Sequence, residues 1–375
     1  PLWSRGLGDV YKRQAVTRTI VSASFEPCVQ GLADPQWKFA RAQVPRLEGW
    51  VVRVRDDEGH EGLGYCHAIP AISTHGEGAR AGLAFLVPML VGRSLDELGA
   101  VLDELDATLA YQPTVKAAID MALHDLLARA MDVPVHVLLG GRQRERVALS
   151  RILPIKAPDE MGALARQLAG QGYGQLKLKL SGDTDLDIQR LAAVREAVGP
   201  DVVLTLDPNQ SYSPKQLISA FSRMERHAVA LIEQPVPAAD FAGLKLLTQA
   251  LPVAIEADEA AQSVRDVFRL VSERAVDVIN LKATNLGGLR RFLQAVRICE
   301  AGEVAVRVGA AFGPALMQGM ALQAACTVRR LPYGCELSEH LHLLDDPFTP
   351  LPVTDGHLAL PAGTGCGVTF RATTG

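Results

Sequence analysis

The sequence predicts an α/β protein: a (β/α)8-type (TIM-like) barrel preceded by an N-terminal α+β capping domain that the C-terminal tail completes. Three observations predict it. From Val147 onward, short apolar runs alternate with amphipathic segments, and eight of these runs read as strands: Val147–Leu153, Gln175–Leu180, Val202–Asp207, Val229–Glu233, Val253–Glu256, Val276–Leu281, Val304–Val308 and Pro332–Cys335. Charged residues close five of them in succession, with Lys179, Asp207, Glu233, Asp258 and Lys282 spaced 28, 26, 25 and 24 residues apart. A step of about 25 residues is roughly one strand, one helix and two short loops. Upstream of Val147 the pattern differs: strands come first and helices follow, as in an α+β unit.

Composition sets the frame. The chain has 375 residues, 48% hydrophobic, enough for a large core, and a net charge of −4 with no basic run. Nucleic acid and anionic membrane are therefore excluded as partners. The longest apolar runs, such as Ala84 to Val91, are too short to span a bilayer. Six scattered cysteines without a CxxC fit reduced, buried thiols better than a disulfide framework or a zinc site. With no secretory signal read in the chain, the expected compartment is the cytoplasm.

In order, residues 1–14 show no periodicity and read as a non-native or disordered extension, with a mobile native tail as the alternative. Residues 15–140 form the capping domain. It opens on an alternating strand, Val16–Ile20, and a loop, Phe25–Pro35. A hairpin follows, with arms at Trp50–Arg55 and Glu61–Tyr65 around Asp56–His60. Helices are predicted over Gly76–Leu90, over Leu95–Leu109 with a Ser94/Glu97 capping box, and over Val115–Met131. Residues 141–345 are the barrel. Its helices include Asp185–Val198, Pro214–Arg226, Leu289–Ala301 and a long apolar one around Phe312–Val328. Residues 346–375 are Pro- and Gly-rich, carry a short strand pattern at His357–Leu360, and return to the capping domain.

The chemistry starts at Gln175–Leu180. Successive strand side chains point to opposite faces, so Lys177 and Lys179 share one face and three leucines the other. Active sites of such barrels lie at the C-terminal strand ends, where Lys177, Lys179, Asp207, Glu233, Asp258 and Lys282 all fall. Three carboxylates from neighbouring strands make a hard oxygen site suited to Mg²⁺. Each acid alone reads equally as the N-cap of the next helix; the matched steps and the flanking lysines favour a shared site. Lys179 and Lys282 would approach a central ligand from opposite sides as proton acceptor and donor, with Lys177 disfavouring the charged form of Lys179 by repulsion.

The motifs Lys177-Leu-Lys179, Asp207-Pro-Asn209, Glu233-Gln-Pro235, Ala257-Asp258-Glu259 and Asn280-Leu-Lys282 with Gly287-Gly288, taken together, resemble the enolase superfamily, in its muconate-lactonizing-enzyme subgroup. Ala117–Asp120 with His124-Asp125, Leu139–Gly141 and Asp355–Pro361 extend the resemblance over nearly all of Ala15 to Phe370. It implies Mg²⁺ held by Asp207, Glu233 and Asp258. Lys179 and Lys282 become the acid/base pair and Lys177 an assisting lysine. Asn209 and Glu259 support the metal ligands, and Glu336 sits near the substrate. The implied reaction removes the proton α to a carboxylate through an ene-diolate. Racemisation or epimerisation of an amino-acid derivative or small carboxylate leads, with muconate-type cycloisomerisation or dehydration as alternatives and an inactive binding barrel as a remote one. A homo-oligomer is implied as well. Two features depart from relatives of other specificity: strand seven ends Val306-Arg-Val-Gly309 without a His, and strand eight carries Glu336-Leu-Ser338 where dipeptide epimerases have Asp-x-Asp. His340 and His342 read as an ordinary surface or loop pair.

Overall fold

The computed structural model describes residues 18–371 except Arg41 and Pro45. The expected extension at 1–14 and the start of the first strand at Val16 and Thr17 lie outside the described residues.

Seven parallel strands follow one another around the barrel in chain order: Ser150–Leu153, Gln175–Lys179, Val203–Asp207, Val229–Glu233, Ala254–Ala257, Val278–Leu281 and Ala305–Val308. Closure uses less than the predicted eighth strand. Only Cys335 and Glu336 pair, bridging in parallel to Leu149 on one side and Gly309 on the other. Ser150 N donates to Cys335 O at 2.9 Å, and Glu336 N donates to Val308 O at 2.8 Å. The upstream half of Pro332–Cys335 cannot extend this rung. Pro332 has no N–H, and the N–H of Gly334 goes to the Gln175 side chain at 2.7 Å. The predicted first strand also divides. Arg146–Ala148 pairs antiparallel with His357–Ala359, and Ser150–Leu153 belongs to the barrel.

Leucines and isoleucines of the strands meet the buried stripes of the outer helices. Leu217, Phe221 and Met224 of Pro214–Met224 are one example, Val267 and Leu270 of Val264–Ser272 another. Each such side chain, fully buried, contributes about 1.5–3 kcal/mol.

The capping sheet is antiparallel, in the order Ile20–Gly31, Arg46–Asp56, Glu61–Ala68. The segment Phe25–Pro35, read as a loop, is strand as far as Gly31. Pro27 is tolerated because this strand lies at the sheet edge, where a missing N–H breaks no ladder. The hairpin stands as expected. Ser94 caps through Asp96 N at 3.1 Å, but Glu97 does not complete a capping box. The helix Pro113–Ala130 is buried on nearly every side. It lies so close to Glu61–Ala68 that a Cβ on Gly64 would come 1.9 Å from Ala118 O.

The tail first pairs with the barrel entry through His357–Ala359 and then reaches the capping domain. There Cys366 N donates to Asp125 Oδ1 at 2.7 Å, and the Arg53 guanidinium lies 4.1 Å over the Phe370 ring. Among the described residues, no helix is long and apolar enough to cross a membrane.

Candidate active site

Alternation along the barrel strands places the charged residues. Lys177 and Lys179 pair in register with Thr205 and Asp207, so both lysines face the barrel axis while Leu176 and Leu178 face the helices. The same logic turns Glu233 and Asn280 inward. Asp207 and Glu233 are completely buried, and Lys177, Lys179, Asp258 and Lys282 nearly so.

Lys177 is the hub. Its Nζ lies 2.6 Å from Glu336, 2.9 Å from Glu233 and 3.1 Å from Asp207. Lys179 pairs with Asp207 and donates to Asn209 Oδ1 at 2.8 Å. Lys282 pairs with Asp258. Asn209 is held in turn: its N–H donates to Asp207 Oδ1 at 3.0 Å, and its Nδ2 to Glu259 Oε1 at 3.2 Å. Asn280 Nδ2 donates to both Glu233 and Glu336 at 3.2 Å. Beneath them Arg307, with no exposed surface, reaches Glu256 at 3.0 Å, Glu336 at 3.2 Å and Glu233 at 3.4 Å.

These contacts set the charge states. Burial alone would push Lys177 down, but Glu233, Glu336 and Asp207 outweigh it and hold the ammonium well above its ordinary range. Lys282 behaves alike: burial opposes, and Asp258, Glu233 and Glu336 prevail upward. Burial raises Glu233, and neighbouring Asp207 and Glu336 raise it further, beyond what Lys177 offsets. Glu336 is the reverse: burial pushes up, yet Arg307, Lys177 and Lys282 hold it far below a usual carboxylate.

A small cavity of about 80 Å³ joins these groups. Lys177, Lys179, Asn209, Asp258, Glu259, Lys282 and Glu336 line it, so seven of the nine sequence-predicted site residues meet there, with Asp207 and Glu233 directly behind. The capping domain contributes Trp37 and Ile72, and the seventh strand's loop contributes Phe312, whose ring meets Trp37 edge-on at 4.5 Å. Ile72 comes from the turn that follows the strand Glu61–Ala68. Trp37 comes from the segment that follows the strand Ile20–Gly31. A wider cleft of about 720 Å³, between the hairpin and the tail, contains none of the predicted residues.

Sequence reasoning missed Arg307, Asn280, Glu256 and Glu339. The signal for Arg307 was present: it sits between two valines in a buried strand, on the alternation that singles out Lys177. The pair His340 and His342 is not a surface pair. His340 is buried and bonds Leu351 O, while His342 accepts from Arg151 at 2.8 Å. Among the described residues, the acidic group already within mutual ligand reach is Asp56, Glu58 and His60, at the hairpin turn and not in the barrel.

Comparison with known proteins fits this geometry. Residues 160–374 match the enolase C-terminal domain-like family model, and residues 32–140 match the mandelate racemase/muconate lactonizing enzyme N-terminal domain. The chain belongs to the mandelate racemase/muconate lactonizing enzyme family. This family member is an isomerase of the enolase superfamily. It is 32% identical to the chloromuconate cycloisomerase of Cupriavidus necator over 76% of its own length and 78% of the relative's. It is also 32% identical to the hydrophobic dipeptide epimerase of Enterococcus faecalis, over 72% and 77%. The Enterococcus faecalis dipeptide epimerase, solved with Mg and the dipeptide L-Leu-L-Tyr, superposes with a TM-score of 0.90 at 27% identity, covering 94% of this chain and 99% of that one.

The donor set of this family member fits a divalent cation. Asp207, Glu233 and Asp258 end three consecutive parallel strands, offer only hard oxygen ligands, and are buried. Burial, and then the charges of Asp207 and Glu336, lift Glu233; a cation beside it would oppose both.

Proposed function

We propose that this chain catalyses Mg²⁺-dependent removal of the proton α to a carboxylate and its return to the opposite face, as a racemase or epimerase of an amino-acid derivative or related small carboxylate. One observation carries the reading. Lys179 from the second barrel strand and Lys282 from the end of the sixth line one cavity, each tethered by its own carboxylate. A proton taken by one amine on one face of the substrate is returned by the ammonium on the other.

The roles divide accordingly. Asp207, Glu233 and Asp258 would hold Mg²⁺. Bound there, the cation would stabilise charge building on the substrate carboxylate and weaken the hold of these acids on the lysines. Lys177 keeps Asp207 and Glu233 in place and adds positive charge behind them. Asn209 orients Lys179, and Glu259 steadies Asn209. Trp37, Ile72 and Phe312 exclude water from the reacting face. Glu336 is engaged with Lys177, Arg307 and Asn280. Muconate-type cycloisomerisation is the second reading, favoured by Glu336 at the matching position and by the chloromuconate cycloisomerase among the relatives. It needs only one of the two lysines.

We also propose the division into a capping domain at 15–140, a barrel at 141–345 and a returning segment at 346–375, acting as a homo-oligomer. Six free, buried thiols support a reducing, cytoplasmic setting.

The test is α-proton exchange in D₂O with Mg²⁺, read by proton NMR over L- and D-amino-acid derivatives and hydroxy acids. Exchange from both enantiomers is expected, with Lys179→Ala and Lys282→Ala each abolishing exchange from a different one. Exchange from one enantiomer, or a new lactone signal, would replace this reading with the cycloisomerase.

A further inference from the structure

A separate cleft of about 470 Å³ lies where the capping domain meets the first strand–helix connection of the barrel. Gln36, Lys38 and Gln43 form the capping-domain wall, and Lys156, Glu160 and Arg190 the barrel wall. Among the described residues, none lines both this cleft and the cavity of Lys179 and Lys282. The two are nonetheless adjacent in the chain. Trp37 lines the cavity, while its neighbours Gln36 and Lys38 line the cleft.

The walls are held in place. Ile155 N donates to Lys38 O at 3.3 Å, and the Lys156 ammonium meets Asp34 at 3.0 Å. Lys38 pairs with Gln43 across the short ribbon Lys38–Phe39 and Ala42–Gln43, and Gln43 Nε2 donates to Pro35 O at 2.9 Å.

The cleft offers donors in excess of acceptors. Arg190 is 6% exposed. Its Nε donates to Lys156 O at 2.9 Å, and its Nη1 to Ser181 Oγ at 2.8 Å and Asp187 Oδ1 at 2.7 Å. Nη2 of this buried guanidinium donates to nothing among the described residues. Neither the Lys38 ammonium nor the Gln36 side-chain amide has a bonded partner there. Glu160 is the one acid on the walls, and its Oε2 accepts from Ala157 N at 3.1 Å. Three cations therefore face one acid, in a chain whose net charge is −4. A guanidinium and an ammonium that converge from two domains suit a ligand with several charged oxygens, each taking a charge-assisted hydrogen bond.

We propose that this cleft is an effector site for a small dianion, a phosphate or a short dicarboxylate, held between Lys38 of the capping domain and Lys156 and Arg190 of the barrel. The dianion ties the segment that carries Trp37 to the barrel and so steadies one wall of the cavity. It is not turned over and has no need to resemble the substrate.

The test is calorimetric titration of the full chain without Mg²⁺, at constant ionic strength. Inorganic phosphate, sulfate and succinate are the probes, and acetate is the singly charged control. One saturable site is expected for a dianion, with acetate at least about tenfold weaker. Lys38→Ala should weaken the dianion by about tenfold, the scale of one charge-assisted hydrogen bond. Lys38→Glu should abolish its binding, and Gln36→Glu should weaken it. Thermal unfolding verifies that these variants fold. Acrylamide quenching of Trp37, with Trp37→Phe supplying the background, should fall as the dianion binds. Binding of phosphate and sulfate alone makes the effector a phosphate; binding of succinate that Lys38→Glu removes makes it a dicarboxylate. Binding that does not saturate, or that survives Lys38→Glu, marks an adventitious ion only and overturns the proposal. Saturable binding with unchanged Trp37 quenching overturns the effector role. No substrate is present, so failure of the proposed reaction would leave this result untouched.

Discussion

Arg307 and Glu256 meet inside the barrel with Nη1 3.0 Å from Oε2, and neither has any exposed surface. The pair forms the floor beneath Lys177, and its guanidinium extends to Glu233 and Glu336 as well. One guanidinium thus touches three acids, of which Glu233 and Glu336 also meet Lys177 while Glu256 pairs with Arg307. Replacing Arg307 by Met is expected to destabilise the fold by about 3–5 kcal/mol, because Glu256 stays buried without its ion-pair partner. Chemical unfolding of the two proteins would measure it; a difference within experimental error would show that the acids simply take up protons.

Glu256 also predicts a pH dependence. Burial pushes its carboxyl up to about 7, with Arg307 pulling against it, from an ordinary 4.5. The folded chain therefore keeps a proton that the unfolded chain releases earlier. Its contribution to stability is complete below about 4.5 and is lost as pH rises towards about 7. The stability of the wild type relative to Glu256→Gln should fall through that window and level off above it. Unfolding curves at stepped pH would show the slope, and an opposite slope would contradict the assignment.

Metal dependence gives a third expectation. Chelation should abolish proton exchange, and added Mg²⁺ should restore it. At 100 times its dissociation constant, Mg²⁺ should raise the unfolding free energy by about 2.7 kcal/mol. In Asp258→Asn the Mg²⁺ concentration needed for the same thermal shift should rise by about tenfold or more. An unchanged requirement would remove Asp258 from the ligand set.

Gly288 links the two halves of the molecule. Its φ is +126°, and a Cβ there would lie 2.3 Å from Asp120 Cγ. Asp120 Oδ1 accepts the next N–H, from Leu289, at 2.7 Å. The long helix of the capping domain is thereby fixed to the turn that leaves Lys282. Gly288→Ala should cost about 1–3 kcal/mol from the backbone conformation alone, and more from the clash. Exchange activity should fall with it, since the displaced turn begins at Lys282. Full activity with unaltered stability would show that the turn relaxes freely.

The strand-and-helix alternation, the five recurring charges and the motif set could all be read along the chain, because each depends on local periodicity or fixed spacing. What was misread depends on partners far away in sequence. Val147–Leu153 splits because Arg146–Ala148 is claimed by His357–Ala359, about two hundred residues on. The eighth strand shrinks to Cys335 and Glu336 because Gln175 takes the N–H of Gly334. Lys177 was expected to act on Lys179 by repulsion, whereas Glu233, Glu336 and Asp207 hold it as a paired cation. Glu339 carries no local signal at all; the turn after the closing rung brings it to the cavity wall.

The bond from Cys366 to Asp125 spans 241 positions. A helix that precedes the barrel in the chain is therefore completed by a residue that follows it. During translation the Asp125 carboxylate holds its bonds from Leu63 and Arg129 and must wait for its third, from Cys366, until the barrel has left the ribosome. The capping domain is thus begun before the barrel and completed after it, and the cavity it roofs is finished only once the segment around Cys366 has been made.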